Sequence, residues 1–233
     1  MPTGLLLLAP GSSDPRHAQT LHAVTDDVRG DVEAHVALGF LSEDAPTVAE
    51  ALDELNQDNR RVVAVQVTLT ADAPLATHVA AALAHAPAHR PVVDAGPLEV
   101  GSWLVPLLER RAGEAGTDQP GQPVVVLATD PSLDADQVAA VAQQWSALRA
   151  KPVVVASEAE LATVVDHQRQ AGQSVVVVPL LLDPSAAYDR LVEATRALQV
   201  PLSGVLAPAQ ELTDRIVTLA RGQVVLPDVS VPA

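Results

Sequence analysis

The sequence predicts an α/β protein made of two similar domains, each with a mostly parallel four-stranded sheet flanked by helices and with a cleft between the domains. Three observations predict it. Short apolar runs alternate with helical periodicities along the chain. A glycine- and proline-rich segment interrupts this pattern once, near residue 118. The pattern then restarts, and the second half repeats the rhythm of the first.

The composition supports a core of this kind. Hydrophobic residues make up 48% of the 233 residues, charged residues 18% and aromatic residues only 2%. Alanine, valine and leucine must therefore fill the interior, as is typical of parallel sheets covered by helices on both faces.

Charge and cysteine usage exclude several classes of function. The 14 basic and 29 acidic residues give a net charge of −15, which argues against binding to nucleic acid or to an anionic membrane. The absence of cysteine excludes disulfides, thiolate catalysis and cysteine-ligated metal centres. The leucine run Leu5–Leu8 is too short for a membrane span and lacks the basic flank of a signal peptide, so a cytoplasmic protein is expected.

The first half alternates strands and helices. Its apolar runs predict four strands, at Gly4–Ala9, His35–Phe40, Val62–Leu69 and Pro91–Ala95. Its helical patterns are at His17–Val28, Thr47–Leu55, Leu75–Leu83 and Leu98–Arg111, and Thr47 with Glu50 has the spacing of a capping box. This order predicts a parallel sheet with right-handed crossovers.

The segment Gly113–Pro123 has the composition of a linker, and the alternation restarts after it. Strands are predicted at Pro123–Ala128, Pro152–Ala156, Ser174–Leu182 and Ser203–Leu206, and helices at Asp134–Leu148, Glu158–Gln170, Ser185–Leu198 and Ala209–Arg221. The expected domains are therefore residues 1–115 and 122–233, both flavodoxin-like.

The two halves form an internal repeat. The stretch "LLLLAPGSSDPRHAQTLHAV" corresponds in position to "VVVLATDPSLDADQVAAV", and "VVAVQVTLTADAPLATHVAAAL" corresponds to "VVVVPLLLDPSAAYDRLVEA". Each half thus places a loop of proline, serine and aspartate after its first and third strands. Those strand ends are where open α/β sheets bind ligands, and two such edges facing each other would form a cleft.

At these residues the sequence resembles the class II tetrapyrrole chelatases, which insert cobalt or iron into sirohydrochlorin. The resemblance covers both halves, in the arrangement of the duplicated members, and it is carried by "LLLLAPGSSDPR", "GFLSEDAPTVAEAL" and "VVVVPLLLDPSAAYDRL". It implies a chelatase-like fold, no tightly bound cofactor, and Fe²⁺ or Co²⁺ as the substrate ion.

The expected metal ligands of that family are missing. Its first histidine falls on Pro10, its second on Pro74, and a glutamate that assists the metal falls on Ser42, next to Glu43. The second half offers Thr129 or Asp130, and Ala186 or Ala187, at the equivalent places. Imidazole binds divalent iron and cobalt and titrates near neutrality, whereas proline can neither ligate an ion nor accept a pyrrole proton.

Three residues are candidates to replace the lost groups. His78 follows Pro74 by four residues on the first turn of the next helix, and is a candidate metal ligand and base. Asp72 lies in the loop and is a candidate ligand of a hard cation or a candidate proton acceptor, although loop aspartates commonly cap turns. Glu43 is a candidate metal ligand at a strand end, beside Asp44.

The substrate-binding candidates surround the two prolines. Gly11, Ser12 and Ser13 precede a helix, where backbone N–H groups can hold a carboxylate, and Arg16 can pair with one bidentately. Pro10 and Pro74 mark the strand ends. Tyr188 is a candidate to stack on a flat ring, with a structural role on its helix face as the alternative.

The other histidines carry weaker signals. His17 and His22 are five residues apart, a poor spacing for shared ligation, and are expected at the surface. His85 and His89 have the spacing of a helical metal pair, but Pro87 between them interrupts a helix.

Three hypotheses remain open. The first is a sirohydrochlorin chelatase with an atypical metal site. The second is an inactive homologue that binds a tetrapyrrole or another anionic small molecule. The third is an unrelated flavodoxin-like module with phosphate at Gly11–Ser13. The expected partner is a small molecule, with no nucleic acid and no membrane, and a homodimer is left open.

Overall fold

The computed structural model describes residues 3–56, 61–70, 72–86, 91–117 and 123–223, and the elements alternate through these ranges. The strands are β1 (Thr3–Ala9), β2 (His35–Phe40), β3 (Arg61–Gln66), β4 (Val92–Pro97), β5 (Val124–Thr129), β6 (Val153–Ser157) and β7 (Val175–Pro179). The helices are α1 (Pro15–Asp31), α2 (Val48–Asn56), α3 (Ala73–Leu83), α4 (Leu104–Ala112), α5 (Ala135–Arg149), α6 (Leu161–Gln170), α7 (Ala186–Leu198) and α8 (Gln210–Gly222).

The first sheet has the strand order β2-β1-β3-β4, and all its neighbouring strands are parallel. Leu6 of β1 is paired with Ala37 of β2 on one side and with Ala64 of β3 on the other. Leu6 and Ala64 are fully buried, because a central parallel strand is covered on both faces. The predicted four-stranded parallel sheet of the first half is confirmed.

The second sheet has the order β6-β5-β7, also parallel, and its three strands fall short of the four predicted. The prediction of a strand at Ser203–Leu206 is wrong. Immediately before this segment a single bridge, between Leu202 and Val177, pairs the chain with β7. Pro201 before Leu202 has no N–H to donate, and Gly204 after it has low strand propensity.

Two apolar clusters form on the helix-covered faces of the sheets. In the first sheet, Leu6 and Leu8 pack with Leu52 and Leu55 of α2 and with Val79 of α3. In the second, the corresponding cluster joins Val126, Val177, Val165 of α6 and Leu191 of α7. Aliphatic side chains fill both clusters, as the scarcity of aromatic residues predicts.

Local capping sets several helix starts. The hydroxyl of Thr47 accepts from the backbone N–H of Glu50 at 3.3 Å, and the Glu50 carboxylate accepts from the Thr47 N–H at 2.8 Å. The predicted capping box is therefore confirmed. The Glu50 carboxylate also accepts from the Thr47 hydroxyl at 2.9 Å, and the two bonds that it accepts from Thr47 lower the pKa of Glu50.

The region around α4 differs from its prediction at both ends. The helix begins at Leu104 instead of Leu98, because Glu99 adopts a left-handed φ of 56°, which a right-handed helix cannot include. The predicted linker begins as a π-type turn over Gly113–Thr117 that continues α4. Residues 118–122 of that linker lie outside the described residues.

The elements group into two compact units. The first unit contains β1 to β4, α2, α3, α1 from Leu21 onward and α8 from Thr213 onward. The second contains β5 to β7, α4 to α7, residues 14–20 and the start of α8. Since α4 packs on α5 and β7, this grouping differs from a division inside the linker, and the domains 1–115 and 122–233 stay a prediction.

Among the described residues, none of the helices combines the length and the apolar character that crossing a bilayer requires.

Candidate functional site

The loop after β1 is tightly folded against the loop after β2. Gly11 has a φ of 86°, and a Cβ atom at this position would lie 1.8 Å from the carbonyl oxygen of Ser42. The Ser42 hydroxyl donates to the Pro10 carbonyl at 2.9 Å. Only glycine fits such an approach, so the loop at Pro10 has a fixed shape.

The backbone of this loop already holds a carboxylate from the protein itself. The N–H of Ser12 donates to Oδ2 of Asp44 at 2.8 Å. Gly11, Ser12 and Ser13 were predicted to bind an anion through their backbone N–H groups. One of these groups, the N–H of Ser12, is already bonded to the Asp44 carboxylate. A ligand carboxylate would have to displace Asp44 there or bind beside it.

Arg16 lies between two carboxylates within the second unit. Its Nε and Nη2 donate to Asp14, at 3.0 and 2.6 Å, and its Nη1 and Nη2 donate to Asp189 at 2.8 and 2.6 Å. Hydrogen bonds from Arg16 lower the pKa of Asp14 from 3.8 to about 2 and also lower that of Asp189. Both edges of the guanidinium, predicted to bind substrate, are therefore already occupied.

Asp72 caps the helix that follows β3. Its Oδ1 accepts from the backbone N–H of Leu75 at 2.7 Å, and its own backbone is extended, as an N-cap requires. The residue thus has the structural role that competed with catalysis in the sequence-based interpretation. Its Oδ2 accepts no hydrogen bond from the described residues.

His78 is exposed and is the sixth residue of α3, which puts it in the second turn instead of the predicted first. Pro74 lies four residues earlier in the same helix, and residues with that spacing share one face. His78 is therefore one turn along the helix face that begins at Pro74. Asp72 lies six residues before His78 and about 9 Å away along the helix axis.

Glu43 is exposed, with a left-handed φ of 61°. It lines a small cavity of about 250 Å³ together with Asp44, Thr47 and His85. His85 follows the end of α3, and its Nδ1 lies 2.9 Å from the Ala81 carbonyl. His89, which has the spacing of a helical metal pair with His85, and the intervening Pro87 lie outside the described residues.

The described residues contain no group of three or more histidine, cysteine, aspartate or glutamate side chains arranged to hold a metal ion. Within the described part of the chain, neither Glu43 nor His78 therefore belongs to a group of three metal-ligating side chains.

Tyr188 is anchored within the second unit. Its hydroxyl donates to the Ser203 carbonyl at 3.2 Å, and burial raises its pKa. The ring is half-buried in the first turn of α7, so its hydroxyl is not free to turn toward a ligand without losing this bond.

Sequence reasoning missed a histidine–aspartate pair. His17, expected at the surface, is only 9% exposed, and its Nδ1 lies 2.9 Å from Oδ2 of Asp183 in the loop after β7. The expectation was wrong because the partner is 166 residues away in the chain, and no local pattern marks such a contact. His22 is exposed as predicted, and its ring meets Phe40 edge-on at 6.2 Å.

A larger cavity opens at the carboxyl ends of β5 and β6 in the second unit. Its volume is about 420 Å³, within the range of small-molecule sites. Thr129, Asp130 and Ala187, at the second half's equivalents of the lost histidines, line it. The described residues of its wall include one cationic side chain, Arg190, which donates from Nε to Glu158 at 2.8 Å.

Parallel strands whose carboxyl ends carry loops of proline, serine and aspartate define an open-sheet α/β protein, the class in which ligands bind at those strand ends. Residues 4–115 match the CbiX family. This match lies in the first half of the chain, and the resemblance to the class II tetrapyrrole chelatases is confirmed.

Solved chelatase structures share the fold over nearly the whole chain. The sirohydrochlorin chelatase SirB from Bacillus subtilis subspecies spizizenii, in complex with cobalt, is 17% identical over 99% of this chain and 98% of its own, with a TM-score of 0.77. SirB from Bacillus subtilis with Fe³⁺ is 15% identical over 97% and 96% of the two chains, with a TM-score of 0.81.

A third structure, CbiX described as the terminal enzyme for siroheme biosynthesis in denitrifying bacteria, is 14% identical. It covers 97% of this chain and 100% of its own, with a TM-score of 0.58. At these identities the structures establish a shared fold. No curated protein sequence matches the chain.

Proposed function

We propose that this protein is a sirohydrochlorin chelatase with an atypical metal site, which inserts Fe²⁺ or Co²⁺ into the tetrapyrrole. The observation that carries the proposal is the match of residues 4–115 to the CbiX family. The shared fold with SirB, solved with cobalt and with Fe³⁺, supports the same choice of substrate ions. In this proposal the protein acts in the cytoplasm.

The metal site in this proposal begins at His78. Metal insertion needs a ligand that holds the ion loosely and a base that removes two pyrrole protons, and Pro10 and Pro74 can supply neither. His78 shares a helix face with Pro74, so it is the nearest imidazole along α3 to the position of the lost ligand. Glu43, on the exposed loop after β2, is the proposed oxygen ligand.

Asp72 is the proposed second proton acceptor. Its Oδ1 caps α3, while Oδ2 remains open to a proton among the described residues. A carboxylate can serve as a general base when it is held in a fixed position, and the cap holds this one. Gly11, Ser12, Ser13, Arg16 and Tyr188 remain the proposed contacts to the substrate. A substrate carboxylate at Arg16 would have to displace Asp14 or Asp189, and Tyr188 would make contact through its ring, because its hydroxyl is bonded to Ser203.

One observation favours a second candidate function, that of an inactive homologue which binds the tetrapyrrole. The described residues bring no three metal-ligating side chains together. In that case the protein would bind sirohydrochlorin without accelerating metal insertion.

The test follows the absorbance of sirohydrochlorin under anaerobic conditions with Fe²⁺ or Co²⁺. A chelatase converts the spectrum faster than the protein-free reaction, and His78→Ala slows this conversion. His167→Ala, which removes another exposed helical histidine, serves as the control and leaves the rate unchanged. An absorbance shift without acceleration assigns the inactive homologue, and no shift at all overturns both tetrapyrrole functions.

A further inference from the structure

Arg190, on the second turn of α7, has hydrogen-bonding capacity that the protein does not use. Its Nε donates to Oε2 of Glu158, and both side chains are about half exposed, at 56% and 43%. Within the described residues its Nη1 and Nη2 donate to nothing. A guanidinium carries five N–H donors in a planar fork, so four of them remain for a ligand.

Arg16 provides the internal comparison. There Asp14 occupies the Nε edge and Asp189 occupies the Nη1–Nη2 edge. In Arg190, Glu158 binds Nε, while the Nη1–Nη2 edge has no partner among the described residues. Of these two arginines, Arg190 is therefore the one prepared to receive a further carboxylate without giving up a partner.

The surroundings of Arg190 form a pocket. The cavity of about 420 Å³ is lined by the apolar side chains of Ala128, Leu181 and Leu191, among others. Thr129 adds a hydroxyl that makes no side-chain hydrogen bond to the described residues. Aliphatic walls with a few polar groups are typical of sites that bind the carbon skeleton of a ligand and orient its charged end.

Two carboxylates of the protein, those of Glu158 and Asp130, contribute negative charge to this pocket. Glu158 is bonded to Arg190, and the charge of Asp130 also acts on the guanidinium. The local charge is thus negative before any ligand enters, so an incoming anion is attracted by Arg190 and repelled by both carboxylates. Removing either carboxylate should strengthen the binding of an anion.

We propose that this pocket binds a carboxylate arm of the ligand, with the open Nη1–Nη2 edge of Arg190 as its bidentate partner. The proposal rests on the proposed function, since sirohydrochlorin is rich in carboxylates. It assigns to the second unit a substrate-binding role that does not depend on the metal ligands of the first. Glu158 holds the guanidinium in place by its Nε and lowers the affinity for anions.

The experiment is an absorbance titration of sirohydrochlorin with the full chain, without metal. Arg190→Gln should weaken binding about tenfold, the effect of losing one bidentate charged contact. Glu158→Gln should tighten binding roughly threefold, because it removes a competing negative charge. Arg196→Gln removes the same charge from the exposed last turn of the same helix and should leave binding unchanged.

A purely structural ion pair would give a different pattern. Arg190→Gln and Glu158→Gln would then lower thermal stability alike and would not move binding in opposite directions. Equal binding by wild type and Arg190→Gln, or weakening by both variants, overturns the proposal while the chelatase function stands.

A second probe separates this inference from the proposed function. If the wild type does not bind sirohydrochlorin, the titration is repeated by calorimetry with tricarballylate, a short tricarboxylate. Binding that is lost in Arg190→Gln supports a carboxylate site in a protein of another function. No binding of tricarballylate by the wild type overturns the site as well.

Discussion

Arg16 and Asp189 are joined by two parallel hydrogen bonds, from Nη1 to Oδ1 at 2.8 Å and from Nη2 to Oδ2 at 2.6 Å. The two residues are 173 positions apart, and within the second unit they connect the first turn of α1 to the first turn of α7. Asp14 binds the other edge of the same guanidinium. One arginine is thus shared by two carboxylates, which gives this contact a pH dependence.

The first prediction concerns acid unfolding. The folded-state pKa of Asp14, about 2, lies below its ordinary 3.8, so the unfolded chain binds more protons between these values. Stability from this contact is therefore full above pH ~4 and is lost as the pH falls toward 2. Arg16→Gln should be less stable than wild type at pH 6, and the difference should shrink on acidification, as followed by urea denaturation.

Arg196→Gln is the control for that series, because among the described residues Arg196 forms no ion pair. Its stability should run parallel to that of the wild type. A difference between wild type and Arg16→Gln that stays constant from pH 6 to pH 2 would contradict the assigned contact.

The second prediction tests the closed loop at Pro10. Gly11→Ala should destabilise the protein by at least about 2 kcal/mol, because alanine is strained at a positive φ and its Cβ would collide with the Ser42 carbonyl. Gly30→Ala is the matched control, since a Cβ there meets nothing within 4 Å. In a helix it should stabilise by up to about 1 kcal/mol. Similar denaturation midpoints for the two variants would refute the loop geometry.

The third prediction separates the two roles of Asp72. Asparagine caps helices as well as aspartate does, so Asp72→Asn should keep the free energy of unfolding, whereas Asp72→Ala should lose about 1 kcal/mol. If Asp72 accepts a pyrrole proton, Asp72→Asn should slow metal insertion about 100-fold. Insertion by Asp72→Asn at the wild-type rate would leave Asp72 as a helix cap alone.

The sequence was sufficient for features that depend on neighbouring residues. Runs of valine and leucine located the seven strands that the described residues form, and the spacing of Thr47 and Glu50 predicted a cap that the structure contains. It failed where distant residues decide the outcome. His17 is buried and contacts Asp183, and Asp189 occupies the edge of Arg16 that Asp14 leaves open. Neither of these distant partners is visible from local periodicity.

The candidate site shows the same division. The strand ends predicted that Thr129 and Asp130 would lie at a binding edge, and both line a cavity. The choice between Arg16 and Arg190 as an anion ligand could not be made from the sequence, because it depends on which donors the fold already uses.

The fourth prediction concerns the contact between α4 and α5. The Glu109 carboxylate accepts from Arg149 Nη1 at 2.8 and 2.9 Å and from Trp145 Nε1 at 2.6 Å. The Arg149 side chain is only 3% exposed, so Glu109→Ala leaves a buried cation unpaired and should cost about 2 to 3 kcal/mol. Asp26→Ala, which removes an exposed pair with Arg29, should cost less than about 1 kcal/mol. Equal losses in urea denaturation would contradict the burial assigned to Arg149.

The fifth prediction uses the pair of His17 and Asp183. An ionised carboxylate 2.9 Å from Nδ1 can only accept, so it selects the imidazole form with a proton on Nδ1. Asp183→Ala should remove that preference and cost about 1 to 2 kcal/mol, because both groups are largely buried. ¹⁵N NMR of the His17 ring reports the proton position, and urea denaturation reports the stability.

The control is Glu54→Ala, which breaks the exposed pair with His35 and should change stability by less than about 1 kcal/mol. An unchanged His17 ring spectrum in Asp183→Ala would show that Asp183 does not determine the protonated nitrogen of the buried imidazole.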